Sequence, residues 1–169
     1  MEARQGAASK SLVPLRMRSP LPSLEGVATW INGKPKLEEL RGFPVLVHFW
    51  SITCHLCHEA AEQLKVWRER FEKEGMIFIA VHQPRSEAEL DVEAVRKDAL
   101  EQMLFTQPCA IDNEHTIVDR FQNEFVPSYY VFNRRHEMRH FQAGDKGHDR
   151  LEAAIARVIN EPAEDEVLQ

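Results

Sequence analysis

The chain has 169 residues, 43% of them hydrophobic and 28% charged, with a formal net charge of −6. This size and balance fit one soluble globular domain with some length left for tails or an insertion, and they exclude global disorder. The acidic balance gives no footing for a nucleic-acid partner, and no stretch is long and apolar enough to span a bilayer.

Residues 1–20 are basic and interrupted by proline, which predicts a flexible arm. Arg4, Lys10, Arg16 and Arg18 have no apolar core behind them. The segment therefore does not read as a secretory signal, and a cytoplasmic protein is expected. Val27–Ile31 is a short strand candidate closed by the turn pair Asn32-Gly33. Leu37–Leu40 has room for one helical turn before Gly42. Val45-Leu46-Val47-His48-Phe49-Trp50 has almost no alternation, the pattern of a central strand covered on both faces.

A helix is predicted from about Cys54 to Glu74. Leu56, Ala60, Leu64, Trp67 and Phe71 recur at spacings of three and four, and Gly75 stands at the C-terminal cap position. Met76–Val81 follows as a buried strand stopped by Pro84. A second helix carries Val92, Val95, Ala99 and Met103 on one face. Cys109–Ile111 is a short strand candidate and Thr116–Phe121 a helical turn. Ser128–Phe132 is rich in strand formers and pairs naturally with Met138–Phe141 as a hairpin. A last helix places Leu151, Ala154, Ile155, Val158 and Ile159 on one face and stops before Pro162, leaving 161–169 as an acidic tail. Strand–helix units followed by a hairpin and a closing helix point to α/β layers around one sheet of four or five strands.

The chemistry concentrates at Cys54-His55-Leu56-Cys57, between a buried strand and an amphipathic helix. Three cysteines are too few for a disulfide scaffold, and a close pair in a reducing compartment is catalytic or metal-binding more often than structural. A disulfide is attacked by a thiolate, so the attacking cysteine needs a lowered pKa and some exposure. Unpaired N–H groups at a helix start favour the anion of Cys54, and a protonated His55 adds to this. Cys57, one turn on, is placed to resolve the mixed disulfide. His58 extends the motif to Cys-x-x-Cys-His, the pattern of covalent haem attachment, which keeps a haem or metal alternative open. A zinc site from Cys54, Cys57, His55 and His58 would crowd four ligands into five residues. The third alternative is a non-enzymatic module whose dithiol only senses redox state. Cys109 reads as a buried strand thiol. Arg85, after a strand end, either steers an acidic substrate or is a solvated loop charge.

Residues 45–57 resemble the active-site segment of the thioredoxin superfamily. With the N-terminal strand, the helix inserted before Cys109, and Phe125-Val126-Pro127-Ser128-Tyr129-Tyr130-Val131-Phe132, the chain is most similar to thiol–disulfide oxidoreductases of the TlpA/ResA type. The resemblance implies a thioredoxin-like fold over residues 21–160, a mixed sheet between helices, with an N-terminal extension and a helical insertion. It implies that Pro127 is the cis-proline facing the dithiol, and that Val126 offers its backbone to an extended substrate segment. It favours Trp50 as part of the active-site wall that meets substrate. It also implies no prosthetic cofactor or metal. The partners would be a protein or small thiol with a disulfide, and a thiol electron donor such as a thioredoxin system.

The departures from the family are specific. His48 stands where Asp or Asn is usual. It is expected either to assist proton transfer at Cys57 or to be a core histidine with a satisfied hydrogen bond. Thr53 replaces a common Trp, and His55-Leu56 lacks the usual Pro. An active-site Glu of the ResA type would fall at Ala60, with Glu59 one position off. Phe125 stands where Gly is frequent. Resemblance to thiol peroxidases of this fold would require Pro at Val47. The expectation is thus a thiol–disulfide oxidoreductase, running as a reductase, in which Cys54 attacks and Cys57 resolves.

Overall fold

A computed structural model describes residues 15–162. The expected behaviour of residues 1–14 and 163–169 lies outside that range.

The centre of the molecule is β2 (Val45–Trp50), buried at every position. It pairs in parallel with β3 (Ile77–His82) and antiparallel with β5 (Ser128–Phe132). Beyond β3 lies β4 (Cys109–Ile111), parallel to it, and then β1 (Thr29–Ile31), antiparallel to β4. Beyond β5 lies β6 (Met138–Ala143), which closes the hairpin with a register shift at Val131/Phe132. The order is β1-β4-β3-β2-β5-β6. The sheet among the described residues has six strands, more than the four or five expected, because β1 and β4 both pair although each is three residues long.

Strand alternation sends the side chains of β2 to opposite faces. Val45, Val47 and Phe49 join Ile79, Val81, Tyr130 and Phe132 beneath α5 (Thr116–Phe121), which contributes Ile117, Val118 and Phe121, with Leu40 added from α1 (Leu37–Leu40). Leu46 joins Phe78, Tyr129 and Val131 on the other face. There α3 (Ala61–Phe71) supplies Leu64, Trp67 and Phe71, and α6 (His148–Asn160) supplies Leu151, Ala154, Ile155 and Val158. Burying each such large apolar side chain contributes about 1.5–3 kcal/mol, which is why the three-and-four spacing places both helices. Trp50, at the end of β2, lies in a third cluster with Cys54, Cys57, Val95, Ala99, Met103 and Phe105. Val95 and Ala99 come from α4 (Val92–Glu101), so the inserted helix covers the dithiol's end of the sheet.

Four expectations are corrected. The helix expected over 54–74 is three pieces: α2 (His55–Glu59), α3, and a 3₁₀ turn over Glu72–Glu74. At Ala60 ψ opens to −6°, and its N–H is shared between the carbonyls of Leu56 and Cys57, each 3.2 Å away. No glycine or proline there marks the break. The strand expected over 76–81 sits one residue later, because Gly75 is left-handed and Met76 still bonds back to Phe71. The arm expected to run to residue 20 does not reach that far. Arg18 N–H donates to the Met138 carbonyl, Met138 N–H donates to Ser19, and Pro20 bridges to Glu137, so residues 18–20 line the edge of β6. Glu161, expected in a free acidic tail, is tied to Asn133 at 3.1 Å and Arg139 at 2.6 Å.

Candidate active site

Cys54 and Cys57 are joined in a disulfide, with Cα atoms 5.2 Å apart. Cys54 caps α2 with an extended backbone, and its Sγ accepts the N–H of Cys57 at 3.0 Å. That N–H is one of the orphan donors at a helix start, so the Cys54 sulfur faces a fixed positive dipole, which would favour a thiolate there. Cys54 is 4% exposed and Cys57 0%.

Opposite lies the loop before β5. The Val126–Pro127 peptide bond is cis, as the resemblance implied. Val126 packs against the cluster that holds both cysteines. Among the described residues its N–H and C=O make no hydrogen bond within the chain. Phe125, 49% exposed, stands beside it. Its carbonyl accepts from Asn123 Nδ2 at 2.8 Å and Ser128 Oγ at 2.6 Å. Asn123 itself is buried, donating to Gln83 Oε1 at 2.7 Å and accepting from the Tyr130 hydroxyl at 2.8 Å. This side chain, overlooked in the sequence, locks the proline loop to the end of β3 and to β5. An Asn in a loop carries no signal distinguishing such a role from a turn.

The segment between β2 and Cys54 is held by a second overlooked residue. Glu89 is 2% exposed although its neighbours Glu87, Ala88 and Leu90 are exposed. One carboxylate oxygen accepts from the Ser51 hydroxyl; the other accepts from Thr53 Oγ1 at 3.0 Å and Ser86 Oγ at 3.2 Å. Burial raises the Glu89 pKa, but the hydrogen bonds from Ser51, Thr53, the Arg85 backbone and Ser86 outweigh it, and the net direction is downward. Glu89 thus stays ionised without a cationic partner. In the sequence, Ser86-x-x-Glu89 has the form of a capping box, a reading that hides the longer contacts. Arg85 Nη2 donates to Thr53 Oγ1 at 2.8 Å from the solvent side. Below, His82 Nε2 accepts the N–H of Ile52 at 3.2 Å, which assigns the ring proton to Nδ1. Burial, then the competing charges of Glu89 and Arg85, leave the His82 pKa at about 4.

The expected site residues fall into two groups. Cys54, Cys57, Val126 and Pro127 converge. Trp50 is fully buried, its Nε1 donating to Cys109 Sγ at 3.4 Å. It therefore backs the dithiol from within and presents no surface to substrate, which corrects the expected contact. His55 is exposed and pairs with Glu59 at 2.8 Å one turn along, so its charge when protonated meets a carboxylate. His58 pairs through Nε2 with Asp98 Oδ2 at 2.8 Å and links α2 to α4. The nitrogen a haem iron would need is thus engaged.

His48 is buried on β2 beneath this layer. Its ring stacks on Tyr129 at 4.8 Å, and Phe105 meets it edge-on at 6.0 Å. Burial, and then the nearby Arg68 guanidinium, lower its pKa to about 3. At neutral pH it is an uncharged imidazole. Among the described residues its Nε2 has no hydrogen-bond partner, so the satisfied core histidine is not what the structure contains at that atom. The Cys109 thiol, also buried, is pushed up to about 12 and is inert as a nucleophile.

Against this geometry the comparisons are consistent. The model of the AhpC/TSA family matches residues 18–141. The thiol-disulfide oxidoreductase YkuV of Bacillus subtilis (strain 168) is 43% identical over 148 residues, 87% of this chain and 99% of that protein. The solution structure of a thioredoxin-like protein in the oxidized form aligns at TM-score 0.77 and 43% identity, covering 86% of this chain and 97% of that one. A thiol-disulfide isomerase from Corynebacterium glutamicum shares the fold at TM-score 0.72 and 20% identity, covering 84% of this chain and 98% of that one.

Proposed function

Because the chain belongs to the AhpC/TSA family and is a thiol–disulfide oxidoreductase of thioredoxin-like fold, we propose that its Cys54–Cys57 couple works as a reductase of disulfides in proteins or small thiols. The observation that carries this reading is the Cys54–Cys57 disulfide beside the cis Val126–Pro127 bond, with the less buried sulfur held by a backbone N–H.

In the reduced protein the Cys54 thiolate attacks one sulfur of the substrate disulfide. The other substrate sulfur leaves and takes up a proton. Cys57 then loses its proton and attacks the Cys54 sulfur, releasing the second substrate thiol. The protein is left with the disulfide seen here, and the substrate has gained two electrons and two protons. A thiol donor such as a thioredoxin system would restore the dithiol. His48 is the proposed acceptor of the Cys57 proton, and Val126 the proposed backbone partner of the substrate. The cytoplasm is the proposed location, since its reducing thiol systems would supply the electrons. No helix among the described residues is long and apolar enough to cross a membrane.

Reduction of a protein disulfide with a dithiol donor tests the assignment. Wild type should be active and Cys54→Ser inactive, while Cys57→Ser should accumulate a mixed disulfide through Cys54. Equal activity in wild type and Cys54→Ser would refute it. A purified protein with a Soret absorbance band would instead point to haem.

A further inference from the structure

We propose that Arg85 determines substrate specificity: the chain Glu89–Thr53–Arg85 fixes a guanidinium at the mouth of the Cys54–Cys57 site, where it selects disulfides carrying a carboxylate beside the reacting cysteine. This rests on the oxidoreductase reading and adds the substrate class to it.

The argument starts from the proton inventory of the hydroxyls. Ionised Glu89 only accepts, and a hydroxyl has one proton to give. Ser51 gives its proton to one Glu89 oxygen, and Thr53 gives its own to the other at 3.0 Å. The Ser51 oxygen then accepts the Thr53 N–H at 3.1 Å, and Thr53 Oγ1, 3.1 Å from Ser51 Oγ and with its own proton given away, has lone pairs left to accept. Arg85 Nη2 docks on them at 2.8 Å. A buried anion thus sets the polarity of two hydroxyls and ends the chain in an exposed cation. The guanidinium is pinned to Thr53, the residue immediately before the nucleophile.

Of the five N–H donors of a guanidinium, this contact uses one. Arg85 is exposed, and among the described residues its side chain makes no ion pair. The histidines of the motif already have carboxylate partners: His55 in Glu59 and His58 in Asp98. Arg85 is therefore the charge left for a ligand, with the planar fork suited to a carboxylate. Because the chain as a whole is acidic, with net charge −6, long-range attraction of an acidic substrate is not available. The selection has to be a local contact. Such a contact is made equally in the ground and transition states, so it belongs in KM rather than kcat.

Three peptide disulfides differing only in the residue next to cysteine, Glu, Gln or Lys, test this by kcat/KM with a dithiol donor. Wild type should favour Glu over Lys by roughly fivefold, carried in KM. Arg85→Glu should invert the order, Arg85→Lys should keep part of it, and Thr53→Val, which keeps the charge but removes its anchor, should weaken it. No Glu-over-Lys difference in wild type, or an unchanged order in Arg85→Glu, would overturn the proposal while leaving the oxidoreductase reading standing. Failure of wild type to reduce any of the three peptides would overturn both.

Discussion

At the scale of single residues, the site depends on side chains whose charge state is set by burial. His48 is the clearest case. Its pKa of about 3 keeps it neutral through the whole physiological range, so it cannot lower a thiol pKa as a cation, and as a base it is weak, well below the range that suits proton transfer near neutrality. Its Nε2 lacks a partner among the described residues, as does the hydroxyl of Tyr129, on whose ring His48 stacks. If His48 accepts the Cys57 proton, His48→Asn should slow resolution of the mixed disulfide by about a hundredfold while leaving the first attack by Cys54 nearly unchanged. Rapid-quench measurement of the two steps across pH separates them, and an identical pH–rate profile in the variant would remove the base role. The sequence indicated that position 48 matters only through the family's usual acid there. Nothing in a lone histidine within a buried run reveals its missing hydrogen bond.

At the scale of elements, the strands and the long helical faces were legible because burial imposes a period on them. α3 and α6 were placed by hydrophobic spacing and β2 by its unbroken apolar run; the residues so selected are buried, although α3 also buries Ala61 and Arg68. What escaped were connections made by polar side chains over long sequence distances, which leave no periodic trace. Asn123 and Gln83 are 40 residues apart, as are His58 and Asp98. Glu89 reaches Ser51 across 38 residues. Asn123 is the element-scale test. Asn123→Ala should leave the buried Tyr130 hydroxyl and the Phe125 carbonyl short of partners, at a cost of about 2–4 kcal/mol. The loosened proline loop should also raise KM for protein disulfides. Urea unfolding together with steady-state kinetics checks both. A variant with wild-type stability and KM would show that the Ser128 contact holds the loop unaided.

At the scale of the whole molecule, these buried groups tie stability to pH. His48 and His82 titrate at about 3 and about 4 in the folded chain and near 6.5 when unfolded. Between those values the unfolded chain binds protons that the folded chain refuses, so acid favours unfolding. The sign is that of groups whose folded pKa is depressed: stability is complete above about pH 6.5 and declines as pH falls toward 4. Glu89 acts in the same direction lower down. Its folded pKa lies below 4.5, so its stabilisation is present above that value and is lost as its carboxylate is protonated. With two histidines contributing, the steepest slope is at most about 2–3 kcal/mol per pH unit, a large share of the 5–15 kcal/mol typical of a domain. Urea midpoints measured from pH 8 to 4.5 should therefore be level above pH 7 and fall steeply below 6. Replacing one of the two histidines by Gln should roughly halve that slope without changing the plateau's shape. A midpoint constant from pH 8 to 5 would mean that the two rings are solvated enough to protonate in place, and that neither carries the acid sensitivity.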